Sequence, residues 1–404
     1  MYTLPQCCCS VKLSYDEGDF NDAEAPYFFM FLTWYSQALF LTGVWCVLLS
    51  LSNAIFFRLS RRKTHVKNNP MISVLIPARN EEERIIPTLE GILKQEYSNF
   101  EMIVIDDDSS DGTWDLIKTY ADRNECMTAL RGKKLPEGWK GKPYAMSQLA
   151  DAARGEILVF LDADIIPAPD FLSWIIGKMI HHKADSISAF ARHRARTVRE
   201  YIFFPLVYFV NLLLLPFWLI KITKQPLFSH AIGQLMVFRR EAYVNAGGFA
   251  IVCDKILEDI QMGRAMKRAG YRHVFLDARE VLSGFMYASW EHTIAGLKRS
   301  IYEYFDMKLY PLIIMSFFNI AFLVVPAVLI PFALYYSFPQ TPWIIWGNVG
   351  ILLGWSITAF DRRLPWYVPL FYPVQFLFVV ILSWESMVDE VNGRGYSWKG
   401  RKII

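Results

Sequence analysis

Charge is what this sequence has least of. Only 20% of its 404 residues are Asp, Glu, Lys or Arg, against 53% hydrophobic residues, and mean hydropathy is +0.22. The deficit is local. Ala25–Phe57, Leu309–Phe360 and Leu364–Trp384 contain no Asp, Glu, Lys or Arg at all. A membrane-crossing helix needs about 20 apolar residues, so each stretch is long enough to cross. A purely soluble enzyme is thereby excluded, and so are disorder, a collagen-like repeat and a disulfide scaffold. A wholly embedded transporter fits poorly too, because the residues between the first two stretches have globular composition. Charged residues inside the spans, where transport sites usually show themselves, are lacking. The near-neutral net charge of +3 gives no nucleic-acid signature. Six cysteines show no metal spacing. Cys126 and Cys253 read as ordinary thiols, and Cys7-Cys8-Cys9 as an incidental run. There is no internal repeat, and the first apolar run lacks the basic n-region and small-residue cleavage site of a signal peptide.

The charges that are present orient the chain. Arg58, Arg61, Arg62, Lys63 and Lys67 follow the first apolar run, whereas Asp16, Glu17, Asp19, Asp22 and Glu24 precede it. The positive-inside rule then places the basic side, and the domain after it, in the cytoplasm. The expected organisation is a tail over 1–26, a transmembrane helix over 27–57 and a basic linker over 58–70. A catalytic domain over 71–308, transmembrane helices within 309–384 and a basic tail over 385–404 follow. Arg394, Lys399, Arg401 and Lys402 favour a cytoplasmic tail, and Pro326, Pro331, Pro365, Pro369 and Pro373 suit a helix that re-enters rather than crosses.

Within 71–308, strand and helix signals alternate. Ile72–Pro77, Met102–Asp107 and Ile157–Asp162 are short runs rich in β-branched residues, which suit strands buried on both faces of a parallel sheet. Helical patterns cover Glu83–Lys94, Thr113–Asn124 and Lys142–Ala153, the last with Gly155 as its expected cap. The fold class is α/β with a mainly parallel, Rossmann-like sheet, in which ligands bind at the carboxyl ends of the strands. Tyr201–Ile220 has twenty uncharged residues interrupted by Pro205 and Pro216. It is expected in the interface or as a re-entrant segment, because acidic residues before and after it belong to one site.

Those acidic residues form three clusters. Asp106-Asp107-Asp108-Ser109-Ser110-Asp111-Gly112-Thr113 and Asp162-Ala163-Asp164 each follow an apolar strand, and Glu258-Asp259 opens a helix that ends at Gly270. Carboxylates at strand ends suit hard ions such as Mg²⁺ or Mn²⁺, which share one or two protein carboxylates with substrate phosphates. A carboxylate beside such a site can take a proton from an acceptor hydroxyl. Taken singly, the first cluster reads equally as a turn with a helix cap, and the third as charges complementing a helix dipole.

The order Ile76-Pro77-Ala78-Arg79-Asn80-Glu81, the Asp106–Thr113 cluster, Asp162-Ala163-Asp164 and Glu258-Asp259 resembles the family 2 glycosyltransferases of GT-A fold. Gly138-Trp139-Lys140-Gly141-Lys142-Pro143-Tyr144-Ala145 and Ser397-Trp398-Lys399-Gly400-Arg401 resemble the membrane-bound group that glycosylates lipids. That group includes the ceramide glucosyltransferase-like, hopanoid-associated and carotenoid glycosyltransferases. The resemblance implies that Pro77, Ala78 and Glu81 line a uridine pocket, with Asp107 or Asp106 on the base. It implies Lys142 near the diphosphate, Asp162 near the ribose or sugar, Asp164 on a Mg²⁺ or Mn²⁺ ion and Asp259 as general base. Gly233, Gln234 and Glu258 would shape the acceptor side. Processive polysaccharide synthases carry Gln-x-x-Arg-Trp after the third cluster. Here Leu297-Lys298-Arg299-Ser300 stands in that region without the Trp, so one sugar per acceptor is expected, with Arg299 or Lys298 near the diphosphate. The implied activity is inverting transfer of one sugar from a nucleotide sugar, UDP-linked, to the hydroxyl of a lipid at the plasma membrane. Transfer to a polyprenyl phosphate is the alternative, for which Arg192, Arg194, Arg196 and Arg199 offer a basic pocket; a processive synthase is a further one.

Overall fold

The computed structural model describes residues 25–60, 69–195, 197–206, 212, 215–285, 290–304, 308–392, 396–398 and 401–403. Cys7-Cys8-Cys9, the acidic N-terminal residues, Arg61–Lys67 and Arg196 lie outside them.

The catalytic domain is built on β1 (Ile72–Ala78), β2 (Phe100–Asp106), β3 (Met127–Arg131), β4 (Ile157–Leu161), β5 (Ile165–Pro167), β6 (Ser186–Phe190), β7 (Arg192–His193), β8 (Leu235–Arg239), β9 (His273–Asp277) and β10 (Leu282–Gly284). Seven of them form one sheet in the order β3-β2-β1-β4-β8-β6-β9. Every pairing is parallel except those of β8, which runs antiparallel to both β4 and β6. A smaller sheet, β5-β10-β7, branches from the end of β4. The continuous apolar runs are explained by burial on two faces. Val74 and Ile76 enter one core layer with Leu89 and Ile175, while Leu75 enters the other with Met146 and Leu149.

Helix Gly141–Ala152 stops at Ala153, which is extended, so the expected glycine cap is not the role of Gly155. A Cβ on Gly155 would stand 2.5 Å from the Ser73 backbone nitrogen, and the Gly155 N–H donates to Ser73 Oγ at 2.7 Å. Close backbone approach to β1, and not helix termination, selects the glycine. Gly270, with φ of +84°, does close helix Glu258–Arg268 as expected.

Among the described residues, four helices are long and apolar enough to cross a membrane: Tyr27–Ser60, Leu309–Tyr335, Thr341–Asp361 and Val368–Val391. The first and third run parallel, because Thr33 meets Gln340, Ser50 meets Thr358 and Arg58 meets Asp361. The fourth extends beyond its apolar stretch to Val391, and the expected tail contains two short antiparallel strands, Tyr396–Trp398 and Arg401–Ile403.

The described residues of Tyr201–Ile220 include parts of the short helices Val198–Phe203 and Phe217–Ile222. Asn53 of the first membrane helix pins it: Nδ2 donates to the carbonyls of Leu212 (2.8 Å) and Leu215 (2.9 Å), and Oδ1 accepts from Phe217 N–H (2.8 Å). Phe57, Phe190, Phe217 and Phe275 then pack where that helix meets the sheet. A buried amide with its donors and acceptor engaged stabilises one specific docking geometry.

Candidate active site

Strands β1, β2 and β4 are in parallel register, so the loops after them emerge on one edge. The loops after β1 and β2 are fastened together. Arg79 Nη1 donates to the carbonyls of Asp107 and Asp108 and lies 3.4 Å from the Asp108 carboxylate. Asn80, at φ of +49°, donates its N–H to Ser109 Oγ and accepts from Ser110 N–H. Asp111 accepts from the N–H groups of Glu82 and Thr113, and Glu82 accepts from Gly112 N–H at 2.9 Å. The first acidic cluster therefore divides. Asp108 and Asp111 build the loops, and Asp111 supports the start of helix Thr113–Ala121. Asp106 and Asp107 are buried at the strand end, and Asp106 Oδ1 has no hydrogen-bond partner. Ala78, buried, pairs in register with Asp106, and Pro77, half-buried, with Ile105.

The second and third clusters meet although some 95 residues separate them. Lys142 Nζ lies 2.8 Å from Asp162 Oδ1 and 3.4 Å from Glu258 Oε1. Asp259 Oδ2 accepts from Gly233 N–H at 2.7 Å, and Oδ1 from the N–H of Ile260 at 2.7 Å. A Cβ on Gly233 would stand 2.8 Å from Lys142 Nζ, 3.5 Å from Asp259 Oδ2 and 3.6 Å from Glu258 Oε1, so glycine keeps this concavity open. Gln234 is buried, and its carbonyl accepts from Asp162 N–H at 3.3 Å. The antiparallel strand β8 accounts for this meeting, because it starts just after Gly233-Gln234 and lies against β4.

Electrostatics follow from the geometry. Burial and then the Glu258 carboxylate push Asp259 up to about 7, while Lys142 and the two backbone N–H groups pull it back. Burial alone would lower Lys142, yet Asp162, Glu258 and Asp259 together hold it well above an ordinary lysine. Lys142 is accordingly cationic at all working pH values, and Asp259 titrates near neutrality.

Asp164 Oδ2 lies 3.2 Å from Arg84 Nη1, and Arg84 Nη2 lies 2.7 Å from Glu81 Oε2. Arg84 thus ties Glu81 to Asp164 and was missed in the sequence. Its only signal there is the i, i+3 spacing from Glu81. Among the described residues no three His, Cys, Asp or Glu side chains form a metal cage. The oxygen donors Asp162 and Asp164 fit a hard divalent ion that completes its shell from a bound diphosphate and water. The side chain of Arg299 lies outside the described residues. Lys298 is turned away from this cluster: its Nζ lies 3.1 Å from Glu385 Oε2 and 2.7 Å from Asp389 Oδ2, on the last membrane helix. Arg199 stacks its guanidinium on Trp290, 4.3 Å from the ring centre.

Comparison with known proteins places these residues in context. Residues 73–247 match the family model described as Glycosyl transferase family 2. The probable glycosyltransferase YdaM of Bacillus subtilis is 28% identical over 225 residues, 54% of this chain and 51% of the relative. The beta-monoglucosyldiacylglycerol synthase of Trichormus variabilis is 31% identical over 29% of this chain and 25% of its own. The 4,4'-diaponeurosporenoate glycosyltransferase of Staphylococcus haemolyticus is 36% identical over 26% of this chain and 27% of its own. The chain thus spans about half or less of these relatives. The mannosyltransferase PcManGT of Pyrobaculum calidifontis, solved with GDP-Man and Mn²⁺, is similar in fold. It has a TM-score of 0.54 and 18% identity over 89% of this chain and 99% of that one.

Proposed function

We propose, from the match of residues 73–247 to the family model described as Glycosyl transferase family 2, that this protein transfers a single sugar, with inversion, from a UDP-sugar to the hydroxyl of a membrane lipid. The observation that carries the proposal is the half-buried Asp259, oriented by the Gly233 N–H and poised near neutrality beside the Lys142–Asp162 pair. A carboxylate so placed takes the acceptor hydroxyl proton as that oxygen attacks the anomeric carbon. The nucleoside diphosphate leaves from the opposite face, so the configuration inverts.

The remaining roles follow from position. Pro77, Ala78 and Glu81 wall the nucleoside pocket, and the unpartnered Asp106 Oδ1, with Asp107 beside it, is an acceptor for a base N–H. Lys142 offsets diphosphate charge, Asp162 holds the ribose or sugar, and Glu258 and Gln234 border the acceptor. Asp164 holds a Mg²⁺ or Mn²⁺ ion, which would supply charge neutralisation at the leaving diphosphate. The Asp164 oxygen that would meet the ion lies 3.2 Å from Arg84 Nη1. Arg299 is assigned to the diphosphate side. The described helices and the two lipid-glycosylating relatives support a lipid acceptor and a membrane location, with the catalytic domain on the cytoplasmic face.

The test is incubation of the purified full chain with labelled nucleotide sugars and a total lipid extract, with the product identified by mass. A mono-glycosylated lipid formed from UDP-sugar is expected. Excess EDTA, or Asp164→Ala, should abolish its formation. Full turnover under either condition removes the metal from the proposal, and a sugar polymer as product removes single transfer.

A further inference from the structure

The small sheet leads from the acidic pair toward the membrane helices. Gly284 of β10 pairs with Ile165 on one side and with His193 of β7 on the other. His193 is therefore two strand spacings, about 10 Å, from the residue that follows Asp164. Beside it lies a cavity of about 90 Å³, lined by Arg192, Arg194, Arg279, Arg362 and Arg363. The first three arginines come from the catalytic domain, and the last two directly follow membrane helix Thr341–Asp361. Its other wall is apolar. Tyr201 and Leu364 there belong to the cluster formed by the membrane helices, and Phe204 to the one that joins them to the sheet.

The charges do not balance. Arg279 Nη2 lies 2.7 Å from Asp277 Oδ2 and 2.8 Å from Asp361 Oδ2, Arg362 shares the same two carboxylates, and Arg363 lies 3.6 Å from Glu280. Among the described ion pairs, Arg279, Arg362 and Arg363 engage the carboxylates of Asp277, Asp361 and Glu280, Arg58 adds a further cation on Asp361, and the lining Arg192 and Arg194 bring two more positive charges that enter none of these pairs. Burial holds His193 down at about 3, with Arg362 acting in the same sense and the Gln234 side chain, which favours the protonated ring, acting against them, so His193 is neutral. An excess of positive charge facing an apolar wall, at the junction of domain and membrane, fits an anion attached to a hydrocarbon chain. Guanidinium forks bind phosphate oxygens pairwise.

We propose that this cavity binds the phosphate of a membrane lipid, with its chain along the Tyr201–Leu364 wall and the rest of its head group directed toward Asp164 and Asp259. Joined to the function proposed above, on which this consequence rests, it makes the acceptor a phosphate-bearing lipid rather than a neutral one.

The experiment measures binding without turnover. The purified full chain in detergent is titrated with dioctanoyl phosphatidic acid, dioctanoylglycerol and inorganic phosphate, with nucleotide binding as the folding control. Arg194→Gln and Arg363→Gln are tested alongside, leaving the more tightly paired Arg279 and Arg362 intact. The expected result is phosphatidic acid binding at least about tenfold tighter than dioctanoylglycerol, with about tenfold lost in each variant. Equal binding of the two lipids, or wild-type affinity in both variants, overturns the site. Displacement of phosphatidic acid by equimolar inorganic phosphate overturns the lipid as its source. Selective phosphatidic acid binding by a protein that transfers no sugar supports this site and overturns the glycosyltransferase proposal alone. Full-rate transfer to a neutral lipid by both variants overturns the acceptor assignment alone.

Discussion

Asp259 concentrates the chemistry into one titration. In the proposed reaction its carboxyl loses a proton to act as a base, and desolvation together with the Glu258 carboxylate pushes that titration up to about 7. The kcat/KM profile should therefore rise with an acid limb near 7 and be lost as pH falls below it. Glu258→Gln removes the neighbouring negative charge, so the limb should move to lower pH; an unmoved limb would assign it to another group. Asp259→Asn should bind nucleotide and lose about 10²–10⁴-fold in turnover. The same shift has a stability consequence. A folded-state value near 7 against the ordinary Asp value of 3.8 means that the folded protein holds this proton more tightly than the unfolded chain. Its contribution to stability is full below about 4 and is lost as pH rises through about 7. Asp259→Asn should accordingly be no less stable than the parent at pH 8, by thermal denaturation. A large loss there would make Asp259 a structural cap, held by its bonds to Gly233 and Ile260.

At the scale of elements, the contact between the first and third membrane helices is the tightest constraint. A Cβ on Gly43 would stand 2.5 Å from the carbonyl oxygen of Gly347, and one on Gly350 would stand 2.7 Å from the Gly43 backbone. Small residues let two helices pack backbone to backbone in lipid, where apolar burial gives no drive to association. Gly43→Val should cost about 1–3 kcal/mol through overpacking. It is read as a lowered midpoint of thermal denaturation in detergent, while Gly138→Val, whose Cβ meets nothing within 4 Å, controls for loss of glycine as such only after allowance for its φ of +81°. An unchanged midpoint for Gly43→Val would mean that the helices separate freely. The loops after β1 and β2 are a second rigid unit, since Arg79, Asn80, Glu82, Asp108 and Asp111 bond them across the strand ends. They hold Asp106 and Asp107 in place.

For the molecule as a whole, the ties at the ends of Val368–Val391 bear on topology. The segment leaves Arg362 and Arg363, which are bonded to the catalytic domain through Asp277 and Glu280. Tyr372 then donates to Asn348 Oδ1, at a point on Thr341–Asp361 about 20 Å along the helix from Asp361. The other end meets the amphipathic helix Trp290–Tyr304 through Lys298 and Asp389. A helix that begins within the bundle and ends against Trp290–Tyr304 fits the reading, proposed here, that the chain re-enters and returns to the side it left. Single cysteines replacing Arg199, Lys221 and Lys402, in a background without other reactive thiols, should label with an impermeant reagent from one side of sealed, oriented vesicles. Labelling of Lys402→Cys from the opposite side would show that the last helix crosses, and opposite labelling of the first two would break the shared site.

The sequence by itself determined what is local and periodic. The runs at Ile72, Met102 and Ile157 specify buried parallel strands, and the uncharged stretches specify membrane helices, because burial on two faces and a hydrocarbon solvent each leave a direct compositional record. The order of acidic clusters that resembles the family 2 glycosyltransferases singles out Asp106, Asp162, Asp164 and Asp259 as candidates. Tertiary structure alone decided who meets whom. No spacing announces that β8 runs antiparallel between β4 and β6, carrying Gly233 and Gln234 to Asp162 and Asp259. None announces that Gly155 serves backbone contact instead of a helix end, that Arg84 bridges Glu81 and Asp164, or that Lys298 pairs with the last helix. Arg279 and Asp361 are 82 residues apart and share an ion pair only because a membrane helix ends against the catalytic domain. Side-chain partnerships of this kind depend on chain reversal and packing, which act over distances that sequence periodicity does not encode.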